Sequence, residues 1–237
     1  MIDIEKYPFV VNDIIFDCET FPNVFSMVCY DILSDSYSTF EISNRRSDLS
    51  EIMSYLRSIK LNKKRMVGFN NIGFDYVVIH WILQKAIKAK SSGKKFNVTA
   101  NQIYKYAMKV IESKRGGDFG INVKTQDVIL PQLDLFKINH FDNKAKMTSL
   151  KLLEFNMRSS NVSDLPFDVG THLFNEEIDV LLTYNKKDVS ETFEFYKHCL
   201  DSILFREDLT IKYQFDCTNL NDSKIGEQFF MRKIEAE

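Results

Sequence analysis

Val10-Val11-Asn12-Asp13-Ile14-Ile15-Phe16-Asp17-Cys18-Glu19 is an apolar run that closes on two carboxylates. Alternation predicts a strand over residues 10–19, with Ile15, Asp17 and Glu19 on one face and Ile14, Phe16 and Cys18 on the other. Phe21-Pro22-Asn23 is a turn signal, a second apolar run follows over residues 24–30, and residues 37–42 suit a third strand. The chain therefore opens as a meander of neighbouring strands. Residues 47–59 then space Leu49, Ile52, Met53, Leu56 and Ile59 along one helix side, with Ser47 or Asp48 as the cap. A short strand over 65–69 ends at Asn70-Asn71, and a helix is predicted from about 74 to 88.

Beyond this the pattern is looser. Residues 85–95 (KAIKAKSSGKK) form a basic loop containing Ser and Gly, residues 99–112 look helical, and Arg115-Gly116-Gly117 is a break. A strand is predicted over 128–136 and a helix over 148–157. Asn175 caps a long helix with Glu176 and Glu177 in its first turn and an apolar stripe of Ile178, Leu182, Val189, Phe193, Tyr196 and Leu200. Residues 206–237 read as two short polar helices around 216–222 that pack on something. Strands first, then strands alternating with helices, predict an α/β layer fold with a mixed sheet and no internal repeat.

With 237 residues, 44% of them hydrophobic, the chain can bury one sizeable core. Its 20 Phe, against 8 Gly and 4 Pro, exclude disorder and collagen-like repeats. Lys+Arg 31 and Asp+Glu 33 give a net charge of -2, so a nucleic-acid partner must be held by local charge or by metal ions. The first ten residues lack a signal-peptide pattern, and the longest strongly apolar stretch, 76–83, is too short to span a bilayer. The four cysteines show neither CxxC nor ligand-like spacing with the four histidines. A soluble intracellular protein with free thiols is the expectation.

Three signals carry chemistry. Asp17 and Glu19 share a strand face roughly 7 Å apart along the backbone, close enough to converge on a hard cation, although a solvated strand edge would look the same. Gly68-Phe69-Asn70-Asn71-Ile72-Gly73-Phe74-Asp75 is a strand exit into a helix. Alone, Asp75 is more often a favourable charge at a helix N-terminus than a metal ligand, and Asn70 and Asn71 are ordinary turn residues. Tyr184 and Asp188, four apart in Tyr184-Asn185-Lys186-Lys187-Asp188, share a helix face at the border of the core, where an Asp is also commonly paired with a surface Lys.

In this order the three resemble the Exo I, Exo II and Exo III motifs of the DEDDy 3′→5′ exonucleases, the DnaQ-like branch of the ribonuclease H-like fold. Within that branch the proofreading domains of family B DNA polymerases, especially those of bacteriophages, are most similar. Phe16-Asp17-Cys18-Glu19-Thr20 resembles the first motif, Gly68-Phe69-Asn70 with Phe74-Asp75 the second, and Tyr184-Asn185-x-x-Asp188-Val189 the third. Thr183 stands where the sister group has His. Thr148-Ser149-Leu150-Lys151-Leu152-Leu153 is similar to the element with which those domains hold single-stranded DNA, and Lys144, Lys146 and Lys151 form a basic cluster there.

The resemblance implies a ribonuclease H-like mixed sheet flanked by helices over residues 1–203, with a helical extension over 204–237. It implies two Mg²⁺ or Mn²⁺ ions, one on Asp17, Glu19 and Asp188 and one on Asp17 with Asp75 nearby, with Tyr184 orienting the attacking water. Thr20, Asn70 or Asn71, Ser149 and Leu150 become the contacts to a DNA 3′ end, with Phe74 and Phe21 as stacking rings. The expected product is a nucleoside 5′-monophosphate, the expected setting phage-type replication in the cytoplasm of an infected bacterium, and the expected partner a DNA polymerase domain or subunit. An RNA-trimming exonuclease has the same carboxylates. An inactive single-strand-binding module would be expected to have lost at least one.

Overall fold

The computed structural model describes residues 2–115, 120–141, 148–157 (the Phe155 side chain excepted) and 165–235. Five strands, β1 (Asp13–Phe21), β2 (Val24–Asp31), β3 (Ser36–Ser43), β4 (Arg65–Gly68) and β5 (Gln132–Asp134), form one sheet in the order β3-β2-β1-β4-β5. β1–β2 and β2–β3 are antiparallel; β1–β4 and β4–β5 are parallel. This mixed sheet flanked by helices is the ribonuclease H-like α/β arrangement.

Alternation along β1 sorts the core. Ile14, Phe16 and Cys18 pack with Met27 of β2 and with α1 (Leu49–Leu61), α2 (Asp75–Ser91) and α3 (Ala100–Arg115) on one face of the sheet. Ile15 packs with Val28, Val67 and Leu133 against Val189 and Tyr196 of α6 (Asn175–His198) on the other. Asp13, Asp17, Glu19 and Phe21 continue the Ile15 row. Tyr196 donates to Asp13 (2.7 Å), Asn185 to Asp17 (3.3 Å), and Phe21 lies among Ile178 and Leu181. β1 and α6 thus run alongside one another in opposite directions, and the carboxylates of β1 face the helix.

Several boundaries differ from the sequence reading. Residues 10–12 belong to a 3₁₀ turn, Pro8–Asn12, started by a proline suited to that position, so β1 begins at Asp13. α2 runs to Ser91, which places Lys85, Lys88 and Lys90 on a helix instead of a loop. The strand expected over 128–136 shrinks to β5, because the Asp134 side chain accepts from the Phe136 N–H and starts the short α4 (Leu135–Ile138). The helix expected over 148–157 is α5 (Leu150–Asn156). Phe174, not Asn175, precedes α6, and the Glu177 carboxylate accepts its N–H at 2.7 Å. The buried side of α6 is Ile178, Leu181, Asn185, Val189, Thr192, Phe195 and Tyr196. Leu182 and Phe193 are half-buried, since two polar residues, Asn185 and Thr192, take the inward positions.

Leu200 opens the next helix, α7 (Leu200–Tyr213), which is followed by α8 (Asp222–Glu235), so the boundary expected after residue 203 falls inside a helix. The tail is tied to the sheet. Asn219 accepts from the Asp134 N–H and donates to the Gln132 carbonyl, both at 2.8 Å, so one side chain stands in for a neighbouring strand on the outer edge of β5. Arg206 of α7 is 1% exposed and donates to the carbonyls of Ile138, Leu220 and Ser202 and to Asp222. All four cysteines are buried free thiols, and no helix among the described residues is long and apolar enough to cross a membrane.

Candidate metal centre

The odd-numbered face of β1 and the 184–188 turn of α6 bring Asp17, Glu19 and Asp188 together. Each offers a carboxylate oxygen, and these oxygens lie within 4.8 Å of one another. Asp75, the first residue of α2, is buried, and among neighbouring charges it acts most strongly on Asp17. The Tyr184 hydroxyl, one helical turn before Asp188, donates to that carboxylate.

The carboxyls crowd one another electrostatically. Burial, then the charges of Asp75, Glu19 and Asp188, hold the Asp17 carboxyl well above the usual carboxylate range. Burial and the charges of Asp188 and Asp75 push Glu19 up to about 8, against a pull from Lys151. Burial takes Asp75 to about 7, and it takes Asp188 to about 6 even though the Tyr184 hydrogen bond pulls the other way. Like charges packed this closely resist ionisation, and a divalent cation removes the penalty. The donors are all hard oxygens, so they fit Mg²⁺ or Mn²⁺ better than a metal that prefers His or Cys ligands. Burial and the same acids push the Tyr184 hydroxyl above its ordinary value.

The loop from β4 to α2 is held by residues that motif spacing passes over. Asp134, fully buried, accepts from the N–H groups of Asn70 (2.8 Å), Ile72 (3.1 Å) and Phe136 (3.0 Å). Asn70 is in the left-handed region at φ 60, and a Cβ on Gly73 would lie 2.3 Å from its Oδ1, so a side chain at 73 would displace the Asn70 amide. Lys114 of α3 donates to the Gly73 carbonyl. On the helix side, Asn185 is fully buried, donates to Asp17, and leaves its own Oδ1 without a hydrogen bond. Glu154 of α5 is also buried, its Oε2 unbonded and 4.0 Å from Lys187 Nζ. Asn185 was visible inside the third motif; Asp134 lies on a strand too short to show a period, and Glu154 lies on an expected helix with nothing in its spacing to mark it as buried.

The expected strand contacts divide. Asn70 is exposed, whereas Asn71 is 1% exposed with its amide 2.9 Å from that of Gln132, so of the two only Asn70 is open to a ligand. Thr20 and Phe74 are half-buried. Ser149 is exposed and its hydroxyl accepts from the Leu152 N–H, capping α5, and Leu150 is half-buried. Phe21 is a correction: its ring is 1% exposed, packed among Leu173, Ile178 and Leu181 and edge-on to Phe167, so it cannot stack on a base. Lys144 and Lys146 lie outside the described residues. A concavity of about 880 Å³ runs past Arg65, Gln132, Lys137 and Asn219, and none of the four carboxylates lines it.

No family model and no curated protein matches the sequence. Among solved structures, the chain is similar to the family B DNA polymerase of the hyperthermophilic archaeon Pyrobaculum calidifontis. The TM-score is 0.46 and the identity 16%, over 79% of this chain and 24% of that one. The chain therefore spans about a quarter of the length of that polymerase.

Proposed function

We propose that the chain is a divalent-metal-dependent 3′→5′ exonuclease acting on the 3′ end of single-stranded DNA in phage-type replication, beside or joined to a polymerase. The observation that carries this reading is the gathering of Asp17, Glu19 and Asp188 within 4.8 Å, with Asp75 buried beside Asp17. The order of the three motifs gives it direction.

Asp17, Glu19 and Asp188 would hold one ion, and Asp17 with Asp75 a second. Bound there, the ions supply positive charge to the scissile phosphate and a water acidic enough to ionise near neutral pH. The chain's own residues do the rest. Asn185 fixes the rotamer of Asp17 through its hydrogen bond. Asp134 fixes the loop that presents Asn70 on one side and Asp75 on the other. The Tyr184 hydroxyl, already donating to Asp188 and raised above its ordinary value, orients a water and does not take its proton.

The test is a 5′-labelled single-stranded DNA and its RNA twin, each in Mg²⁺, Mn²⁺ or EDTA. A ladder shortening from the 3′ end is expected with metal and not with EDTA, on the DNA. In Asp17→Ala it should fall by about 10³-fold, which corresponds to about 4 kcal/mol of lost charge stabilisation. Wild-type cleavage by folded Asp17→Ala protein would remove the site assignment. Shortening of the RNA alone would replace the DNA reading with RNA trimming. Metal-independent retention of either strand without cleavage would make the chain a binding module.

A further inference from the structure

Residues 84–115 hold eight Lys and Arg115 against one acid, Glu112, a local charge of +8 in a chain of net charge -2. They form the C-terminal half of α2, the turn after it and all of α3. The lysines are not solvated at random. Trp81 and Lys85 are one turn apart on α2, and Gln102, Tyr106 and Lys109 follow at helical spacing on α3. The Trp81 and Tyr106 rings stack across the two helices with centroids 4.8 Å apart and planes at 13°. Lys85 Nζ lies 5.3 Å over the Trp81 ring. Together with Lys105 these residues line a groove of about 370 Å³. Lys85, Lys105 and Lys109 are exposed, and among the described residues none of them forms an ion pair with a carboxylate.

An aromatic stack flanked by unpaired lysines is the chemistry of a single nucleic-acid strand, whose bases stack and whose phosphates take the charge. An acidic lipid surface fits less well, since binding in the plane of a membrane needs an apolar helix face, and the one large apolar side chain exposed on α2 and α3 is Ile87. α3 also leads to the carboxylates. Lys114 holds the Gly73 carbonyl of the Asp75 loop, and Tyr106 lies two turns earlier, roughly 12 Å back along the axis. We propose that the α2–α3 hairpin is a second contact for the substrate strand, in which a base extends the Trp81–Tyr106 stack and Lys85, Lys105 and Lys109 take the phosphates upstream of the 3′ end. This rests on the exonuclease reading for the identity of the strand.

Trp81 is the chain's one tryptophan, so its fluorescence reports the groove directly. In EDTA, a single-stranded deoxyoligonucleotide of about 20 nucleotides should quench it saturably. The triple variant Lys85→Ala, Lys105→Ala, Lys109→Ala should bind with a log affinity against log salt slope shallower by about 2, at about 0.7 per lost phosphate contact. In Mg²⁺ the same variant should show a KM raised about 10-fold on that strand with kcat held, while a strand of about four nucleotides is cut equally by both proteins. An unchanged salt slope, no response of Trp81 to the oligonucleotide, or a response confined to phosphatidylserine vesicles overturns the proposal. Cleavage with identical KM in both proteins sinks the groove and leaves the exonuclease standing. Quenching with the expected slope change but no cleavage does the reverse.

Discussion

At the scale of the residue, the carboxylate cluster stores unfavourable charge, and the sign of its pH dependence follows. The carboxyls of Asp75, Asp188 and Glu19 sit at about 7, about 6 and about 8 in the folded chain, all above their ordinary values. A group raised on folding binds more protons folded than unfolded, so its contribution is complete below the ordinary carboxylate range and is lost as pH rises towards the folded value. Metal-free protein should therefore lose stability between about pH 4 and about pH 8, and Mn²⁺ should restore it at the upper end by binding only the folded state. Thermal melts in EDTA across that window, repeated with Mn²⁺, check this; a Tm that rises with pH in EDTA would contradict it. Tyr184 gives a second prediction. Its hydroxyl lowers Asp188, so Tyr184→Phe should move the acidic limb of the rate profile to higher pH as well as slow cleavage on the order of 10²-fold through a misplaced water. A pH–rate profile with an unmoved limb would separate Tyr184 from Asp188.

At the scale of the element, β1 was readable because alternation is a property of any strand: once Ile15 faces a core, Asp17 and Glu19 must face the same side. α6 was readable in extent but not in rotation. Its inward row contains Asn185 and Thr192, and apolar spacing points instead to Leu182 and Phe193. Of these two buried polar residues Asn185 serves the site through its hydrogen bond to Asp17, and a functional residue facing inward breaks the apolar pattern. β5 was misjudged because three residues cannot show a period, so Asp134, which holds the Asn70–Ile72 turn, left no trace in the sequence. The tail helices looked polar and uncapped because one of their anchors is itself a charged residue inside the fold. Arg206 satisfies the carbonyls of Ile138, Leu220 and Ser202. Arg206→Ala should cost about 3 kcal/mol or more by leaving buried carbonyls unpaired, as measured by urea unfolding; a change within about 0.5 kcal/mol would mean that water replaces the guanidinium.

At the scale of the molecule, the sheet ends on β5, and what covers that edge comes from more than eighty residues further along the chain. Asn219 pairs with both the Asp134 N–H and the Gln132 carbonyl, while the Asp134 carboxylate on the same residue holds the loop carrying Asn70 and leading to Asp75. The tail, the outer strand and the carboxylate cluster are therefore connected through one residue, and we propose that residues 204–237 belong to the same folding unit as the rest. A chain ending at residue 203 would cut α7 after its first turn, remove Arg206, and leave the outer edge of β5 bare. Against a typical stability of about 5–15 kcal/mol, losing the Arg206 network alone takes a large fraction. The truncated chain should be recovered in low soluble yield or melt well below the full chain, and it should bind Mn²⁺ more weakly even where it remains folded, because the Asp75 loop has lost its outer support. A 1–203 fragment with the Tm and Mn²⁺ affinity of the full chain would show instead that the tail is an appendage, and that the Asn219 hydrogen bonds contribute nothing to the geometry of the site.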